Sequence, residues 1–359
     1  MATADRYARP VEGVEWNIPG TFDTTFRWEY EDGRDSLLKL YTRGKQRQWD
    51  ADTRIDWSQD LDPENPEQLP DESIPLFGSP VFARLTAGEK ANLRRHFQSW
   101  QLSQFMHGEQ GALICTAKIV QQVPRMDAKF YAATQVIDEA RHVEAYSRLL
   151  HDKFELAYPI TPTLQGLLDN VLSDSRWDMT YLGMQVLIEG LALAAFAQIR
   201  DQSQNPLAGA VNAYVMQDEA RHVAFGRFAL RDYYPMLTQA ERDEREEFAV
   251  EACYLMRDRF QAEEVWETLG LPVDECAAYM LESGFMQSYR SALFSRIVPI
   301  IKDIGLWGSK IRTGYEAMGI LGYASVDVQA MSEKDEQVAR EFDTRHAEIA
   351  KVAGLADAS

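Results

Sequence analysis

Asp138-Glu139-Ala140-Arg141-His142-Val143 returns 80 positions later as Asp218-Glu219-Ala220-Arg221-His222-Val223, identical over all six residues. Within each copy the Glu and His are three apart, which on a helix sets a carboxylate and an imidazole on one face, one turn apart. Thirty residues upstream of each motif Glu stands another Glu in an apolar run, Glu109 before Glu139 and Glu189 before Glu219. Glu189 is the sharper of the two. In Val186-Leu187-Ile188-Glu189-Gly190-Leu191-Ala192-Leu193 the lone carboxylate has no evident protein partner, and burying it unpaired would be prohibitively costly. Four Glu and two His on a doubled helix pair are the ligand set of a carboxylate-bridged two-metal site inside a four-helix bundle. Glu supplies hard anionic oxygens that can bridge, and His supplies one neutral nitrogen per metal. A single Glu-x-x-His arises by chance in many helices, and a duplicated hairpin held by salt bridges would also produce a repeat. Two identical copies, each with an equally spaced upstream Glu, favour the metal.

The chain has 359 residues, 45% of them hydrophobic, enough to bury a sizeable core. A formal net charge of −19 argues against nucleic acid, whose phosphates need Lys and Arg, and against an anionic membrane surface. Cys115, Cys253 and Cys276 are an odd set without a Cys-x-x-Cys, so a reducing, cytoplasmic setting is expected. Residues 1–19 are polar and lack the apolar core of a signal peptide. The most apolar run, residues 183–199, carries Gln185, Glu189 and Gln198 and reads as a buried helix, not a membrane span.

Proline and capping signals divide the chain. Residues 1–85 are expected to form an arm and an irregular segment packed on the bundle, with a short helix over 35–48. The proline-rich stretch 49–80 carries Trp49 and Trp57, which would pin it. Thr86-Ala-Gly-Glu89 is a capping box opening a helix to about Gln122, ended by Pro124. A second helix should run from about Met126 to Phe154 and a third over about 175–201. A crossover over about 155–174, with a short helix at 163–172, would join them. The fourth should start at Asn205-Pro206 and end before Pro235. Thr238 to about Leu269 and Asp274 to about Ile304 read as further continuous helices. The expected fold is all-α: a four-helix core over 86–235 with a crossover connection, and a helical extension of the same domain over 236–359.

With these residues the chain resembles the ferritin-like di-iron carboxylate superfamily, most clearly over 86–235. The Asp-Glu-x-Arg-His form is similar to that of bacterial multicomponent monooxygenase hydroxylases and of acyl carrier protein desaturases. The resemblance implies a ferritin-like bundle holding two iron ions, or a Mn/Fe pair, with O₂ as co-substrate. It implies Glu109, Glu139 and His142 on one metal, Glu189, Glu219 and His222 on the other, and Glu139 and Glu219 bridging. By resemblance more than by spacing, Asp138 and Asp218 would accept from the non-ligating imidazole nitrogens across the bundle. Arg141 and Arg221 would offset charge; helix salt bridges are the alternative role for all four. Tyr146, four after His142, stands where ribonucleotide reductase small subunits carry a radical tyrosine. Core packing is its competing role, and its counterpart in the second copy is Gly226. Two positions depart from relatives. Leu193 replaces the Thr that multicomponent hydroxylases use in proton delivery one turn after the third Glu. Asn212 stands where arylamine N-oxygenases of the superfamily add a third His ahead of the last motif Glu, which argues against an N-oxygenase site.

The implied function is an O₂-dependent non-haem di-iron oxidoreductase, an oxygenase, hydroxylase or desaturase, acting on a small, largely apolar organic substrate. Gln110, Ala112, Leu113, Gln185, Ala192, Leu193 and Phe225, one turn from ligands, are candidate lining residues, with core packing as the alternative. No flavin, haem or iron–sulfur motif is visible, so a reductase or ferredoxin is expected to deliver electrons. A homodimer, or a place as a subunit of a multicomponent oxygenase, is the family habit. The competing functions are a radical-generating redox subunit using Tyr146 and a non-catalytic iron-handling subunit.

Overall fold

The computed structural model describes residues 7–10, 16–30 and 33–352. These are helical in most of their length, and the β-type pairing among them is a single bridge between Tyr7 and Ala157.

Four long helices form the centre. The first, Ala87–Gln122, starts at the expected capping box: Glu89 N–H donates to Thr86 Oγ1 at 3.3 Å, and Thr86 N–H donates to the Glu89 carboxylate at 2.8 Å. It ends where Val123 turns extended ahead of Pro124. The second, Met126–Arg148, continues through a wider π turn, Leu149–Phe154, and stops at Glu155 in the left-handed region, φ 50°. The third is continuous from Trp177 to Gln202 but contains a π segment, Leu182–Ile188, ending at the residue before Glu189. The fourth, Pro206–Tyr233, has the Asn205 side chain accepting from the amides of Leu207 and Ala208, with proline at its first position.

Between the second and third helices the crossover carries the helix Pro162–Ser173, capped by Thr161. It lies close because its neighbours are glycines. A Cβ on Gly111 would come within 2.5 Å of Leu168, and one on Gly183 within 2.4 Å of Val171. Ahead of the core, Asp35–Gln46 packs on the second and fourth helices. The segment after it holds the short helix Ala51–Arg54 and the turn Asp71–Ser73. The arm is tied to the bundle by Ala8 N–H to Ala157 C=O at 2.7 Å and Thr25 N–H to Gln121 C=O at 2.8 Å.

Two expected continuous helices are broken. The run from Thr238 divides into Gln239–Asp258 and Glu263–Thr268, with Ala262 at φ 51° between them. The break lets Trp266 bury and stack on Phe97, ring centroids 6.3 Å apart. The run from Asp274 divides into Val273–Glu282, Gly284–Leu293 and Ile297–Asp303. Arg290 supports the first break by donating to the freed carbonyls of Met280 and Leu281 at 2.8 and 3.0 Å. Tertiary packing overrides helical propensity in both places.

Among the described residues one helix, Trp177–Gln202, is long and apolar enough to cross a membrane by composition, and 83% of its apolar window is buried within the protein. The third and fourth helices meet closely at Gly226, where an added Cβ would lie 2.6 Å from Gln185 Cβ. Gly226→Ala should therefore cost about 1–3 kcal/mol and lower the melting temperature. An unchanged melting curve would mean that the two helices are not in this contact.

Candidate metal centre

Each helix of the bundle brings its acidic residue inward. Glu109 comes from the first, Glu139 and His142 from the second, Glu189 from the third, and Glu219 and His222 from the fourth. All six side chains are buried, none more than 5% exposed. Their ligand atoms fall into two sets, each within 4.8 Å: Glu109, Glu139, His142 and Glu219; and Glu139, Glu189 and His222. Glu139 belongs to both. His142 Nδ1 lies 3.1 Å from Glu109 Oε2, 3.4 Å from Glu139 Oε2 and 3.1 Å from Glu219 Oε1. His222 Nδ1 lies 3.0 Å from Glu139 Oε1 and 3.1 Å from Glu219 Oε1.

The far side of each imidazole meets the aspartate of the other copy. His142 Nε2 is 3.2 Å from Asp218 Oδ2, and His222 Nε2 is 3.2 Å from Asp138 Oδ2. A carboxylate there accepts a hydrogen bond from Nε2–H and so favours the tautomer whose Nδ1 lone pair faces the glutamates, the one a metal ligand needs. The aspartates are themselves held. Arg141 donates to Asp138 at 2.5 Å and to Asp218 at 2.9 Å, while Arg221 pairs with Asp218 and lies 3.8 Å from Asp138. Burial opposes ionisation of Asp218, but Arg221 and His142 outweigh it and hold the carboxyl well below the usual range.

Without cations the glutamates conflict. Burial, then repulsion from Glu219, pushes the Glu109 carboxyl up to about 8. Burial with the charges of Glu219 and Glu139 pushes Glu189 well above its ordinary value. Glu139 is held low despite its burial, chiefly by His222 and His142. Glu139 Oε2, Glu189 Oε2 and Glu219 Oε2 have no hydrogen-bond donor among the described residues. Four carboxylates of net charge −4 and two inward-facing imidazole nitrogens are the donor set that two hard divalent ions would satisfy.

Several residues around the cluster were not singled out by their sequence pattern. Gln135, one turn before Glu139, donates its amide N–H to Glu139 Oε1 at 2.8 Å and to Glu189 Oε1 at 3.0 Å. Gln48 donates to Asp138 Oδ1 at 2.7 Å, and the Trp49 indole N–H donates to Asp218 Oδ2 at 2.8 Å. For Gln135 the one-turn spacing was a usable signal; for Gln48, 90 residues from Asp138 along the chain, none was available, and Trp49, expected only to pin its segment to the bundle, does so through Asp218. The π segment was equally hidden. The Glu189 amide donates to Met184 C=O, five residues back, and this widened turn resets the face on which Glu189 projects.

Tyr146 is buried, donates its O–H to Asn212 Oδ1 at 3.0 Å, and packs against Phe105 and Phe196. Among the candidate lining residues, Gln110 is exposed and so faces away from the interior. Ala112 packs with Leu164 and Leu168 of the crossover helix. Leu113 and Ala192 are half-buried. Gln185, Leu193 and Phe225 are buried, with the Phe225 ring between Tyr131 and Tyr181 at centroid distances of 4.5 and 5.0 Å.

The profile of the family described as P-aminobenzoate N-oxygenase AurF matches residues 30–305. Among solved structures the chain is similar to two variants of an R2-like ligand-binding oxidase with anaerobically reconstituted Mn/Fe cofactor. Both are 18% identical and cover 79% of this chain and 96% of their own, with TM-scores of 0.44 and 0.45. It is also similar to an R2-like ligand-binding oxidase with aerobically reconstituted metal cofactor after photoconversion, at 16% identity and TM-score 0.38, over 88% of this chain and 94% of the other. No curated protein matches. The family match extends far beyond 86–235 and includes Asn212. A missing His there does not separate the chain from the N-oxygenase profile.

Because Asp138 and Asp218 fix the imidazoles, Asp138→Asn and Asp218→Asn should each weaken iron binding by about 10–100-fold. Isothermal titration with Fe(II) under anaerobic conditions measures this, and unchanged affinity in both variants would remove the aspartates from the site.

Proposed function

The chain belongs to the AurF family, described by its p-aminobenzoate N-oxygenase, and on that premise we propose that Glu109, Glu139, His142, Glu189, Glu219 and His222 hold its two metal ions. Its fold is the ferritin-like all-α bundle, and it is an O₂-dependent di-iron oxygenase or oxidase acting on a small molecule. The proposed substrate is small and largely apolar, with an aromatic amine as the first class to test. The observation that carries the proposal is the pair of overlapping ligand sets sharing Glu139.

When bound, the iron pair, or a Mn/Fe pair, supplies the reduction and activation of O₂. The protein's part is geometry and exclusion of water. Asp138 and Asp218 orient the two imidazoles, and Arg141 and Arg221 pair with those aspartates from the outer side. Gln135 ties Glu139 to Glu189 and sets the separation of their carboxylates. Leu187, Leu191 and Leu193, all buried, keep bulk water from Glu189 and raise the strength of every charge interaction nearby. In this reading a reductase or ferredoxin delivers the electrons, its basic patch suited to a chain of net charge −19. A homodimer or a place in a multicomponent oxygenase, and a cytoplasmic setting consistent with three free buried cysteines, complete the proposal.

Reconstituted with Fe(II), the unmodified chain should hold two irons, and Glu189→Ala and His222→Ala should each lose metal sharply; two metals per chain retained in both would refute the ligand set. Given ¹⁸O₂, a one-electron donor and a panel of small arylamines, the loaded enzyme should place ¹⁸O in the product. Products labelled only from water would contradict an oxygenase.

A further inference from the structure

We propose that the organic substrate enters through a pocket at one end of the bundle, and that two matched Tyr–Gln ladders select it and run inward to Glu139 and Glu189. This rests on the oxygenase reading above and assigns its route of entry and its specificity. The two ladders are written alike. Tyr131, Gln135 and Glu139 on the second helix stand four residues apart, as do Tyr181, Gln185 and Glu189 on the third. Each glutamate therefore has a glutamine one turn before it and a tyrosine one turn further back.

Tyr131, Gln135, Tyr181 and Gln185 are all fully buried. Among the described residues, both tyrosine hydroxyls, Gln135 Oε1 and both amide atoms of Gln185 have no hydrogen-bond partner. Each such atom costs stability, so their gathering on two neighbouring helices marks a place for a ligand. The ladders converge. The Phe225 ring, one turn after His222, lies 4.5 Å from the Tyr131 ring and 5.0 Å from the Tyr181 ring. At the inner end Gln135 Nε2 donates to Glu139 at 2.8 Å and to Glu189 at 3.0 Å. Gln185 lies against the fourth helix, its Cβ 2.6 Å from where a Cβ on Gly226 would stand. With its N–H groups spent on the glutamates, Gln135 has only an acceptor left to offer. A group bound there must donate, and the carboxylates beyond it disfavour an anion. An uncharged amine meets both demands.

The outer end of the ladders meets the surface. Tyr181 lines a pocket of about 320 Å³ whose walls include Val123, Pro124, Trp177, Tyr233 and Met236. Ala128 and Ala229 also line it, one turn from Tyr131 and Phe225 respectively, so the pocket ends on the three-ring cluster. Its volume suits one small ring. The rings of Trp177 and Tyr233, centroids 4.6 Å apart, supply apolar faces for it. Charge at the rim is already matched: Arg34 lies 2.9 Å from Asp127 and 3.1 Å from Asp232. A neutral aromatic amine fits this setting, entering with its N–H group toward the glutamines and its ring toward the pocket.

The test is binding to the full-length chain, iron-loaded and metal-free, by isothermal titration with aniline and with toluene, which has a similar shape and no N–H. Aniline should bind about tenfold more tightly than toluene. Gln185→Leu removes the unpaired amide, and should abolish most of that preference without lowering the melting temperature. Met236, 73% exposed at the rim, allows a second test. The three native cysteines are buried, so in Met236→Cys a bulky methanethiosulfonate reagent labels the rim alone. The label should block aniline, and its removal by dithiothreitol should restore binding. Equal affinity for aniline and toluene, a full preference retained in Gln185→Leu, or aniline binding unaffected by the label would each overturn the proposal. Aniline bound as expected but never oxygenated under ¹⁸O₂ would overturn the oxygenase reading and leave the binding site standing.

Discussion

Four carboxylates packed into an apolar interior cannot all stay ionised without cations between them, and the rest of this molecule is arranged around that constraint. Removing one such charge from water costs several kcal/mol even after relaxation. The outer groups are already balanced: Asp138 and Asp218 against Arg141 and Arg221, with Gln48 and Trp49 filling remaining acceptor positions. What remains unbalanced is the inner layer, Glu109, Glu139, Glu189 and Glu219, three of which keep an oxygen with no donor among the described residues. A layer satisfied from outside and open at its centre is what a buried di-metal site requires.

The duplication supplies this with an economy of sequence, since one six-residue motif written twice gives both imidazoles, both bridging candidates and both supporting aspartates. Each aspartate serves the histidine of the other copy, so neither half could form its site alone. The symmetry is then broken in places that matter. Gln135 has Val215 as its counterpart, and Tyr146 has Gly226. One half therefore carries the polar clamp and the phenol, and the other allows the close approach of Gln185. The two halves of the ligand cluster therefore lie in unequal surroundings.

Much of this was legible in the chain. The capping box at Thr86, the breaks at Pro124 and Asn205-Pro206, and the four helices between them follow from local chemistry that needs no tertiary information. The six inward side chains were legible because their pattern is written in spacing. The unread parts are those fixed by distant packing. Nothing near Leu182–Ile188 announces a π turn, since the extra residue is accommodated by neighbouring helices. Glu67 lay in a proline-rich segment that reads as irregular surface, and its burial depends on Asn65, Gln98 and Ser203 meeting from three parts of the chain. The helix breaks at Ala262 and Ser283 depend on Trp266 and Arg290 finding partners that the sequence does not place nearby. The family itself was not legible from the six ligand candidates and Asn212, because its match is spread over residues 30–305.

The most direct test of the account is anomalous diffraction at the iron absorption edge from crystals of the iron-loaded chain. Two peaks are predicted, about 3.5–4 Å apart, one against His142 Nδ1 and one against His222 Nδ1, with Glu139 between them. A single peak, or peaks on the surface away from these six side chains, would contradict it.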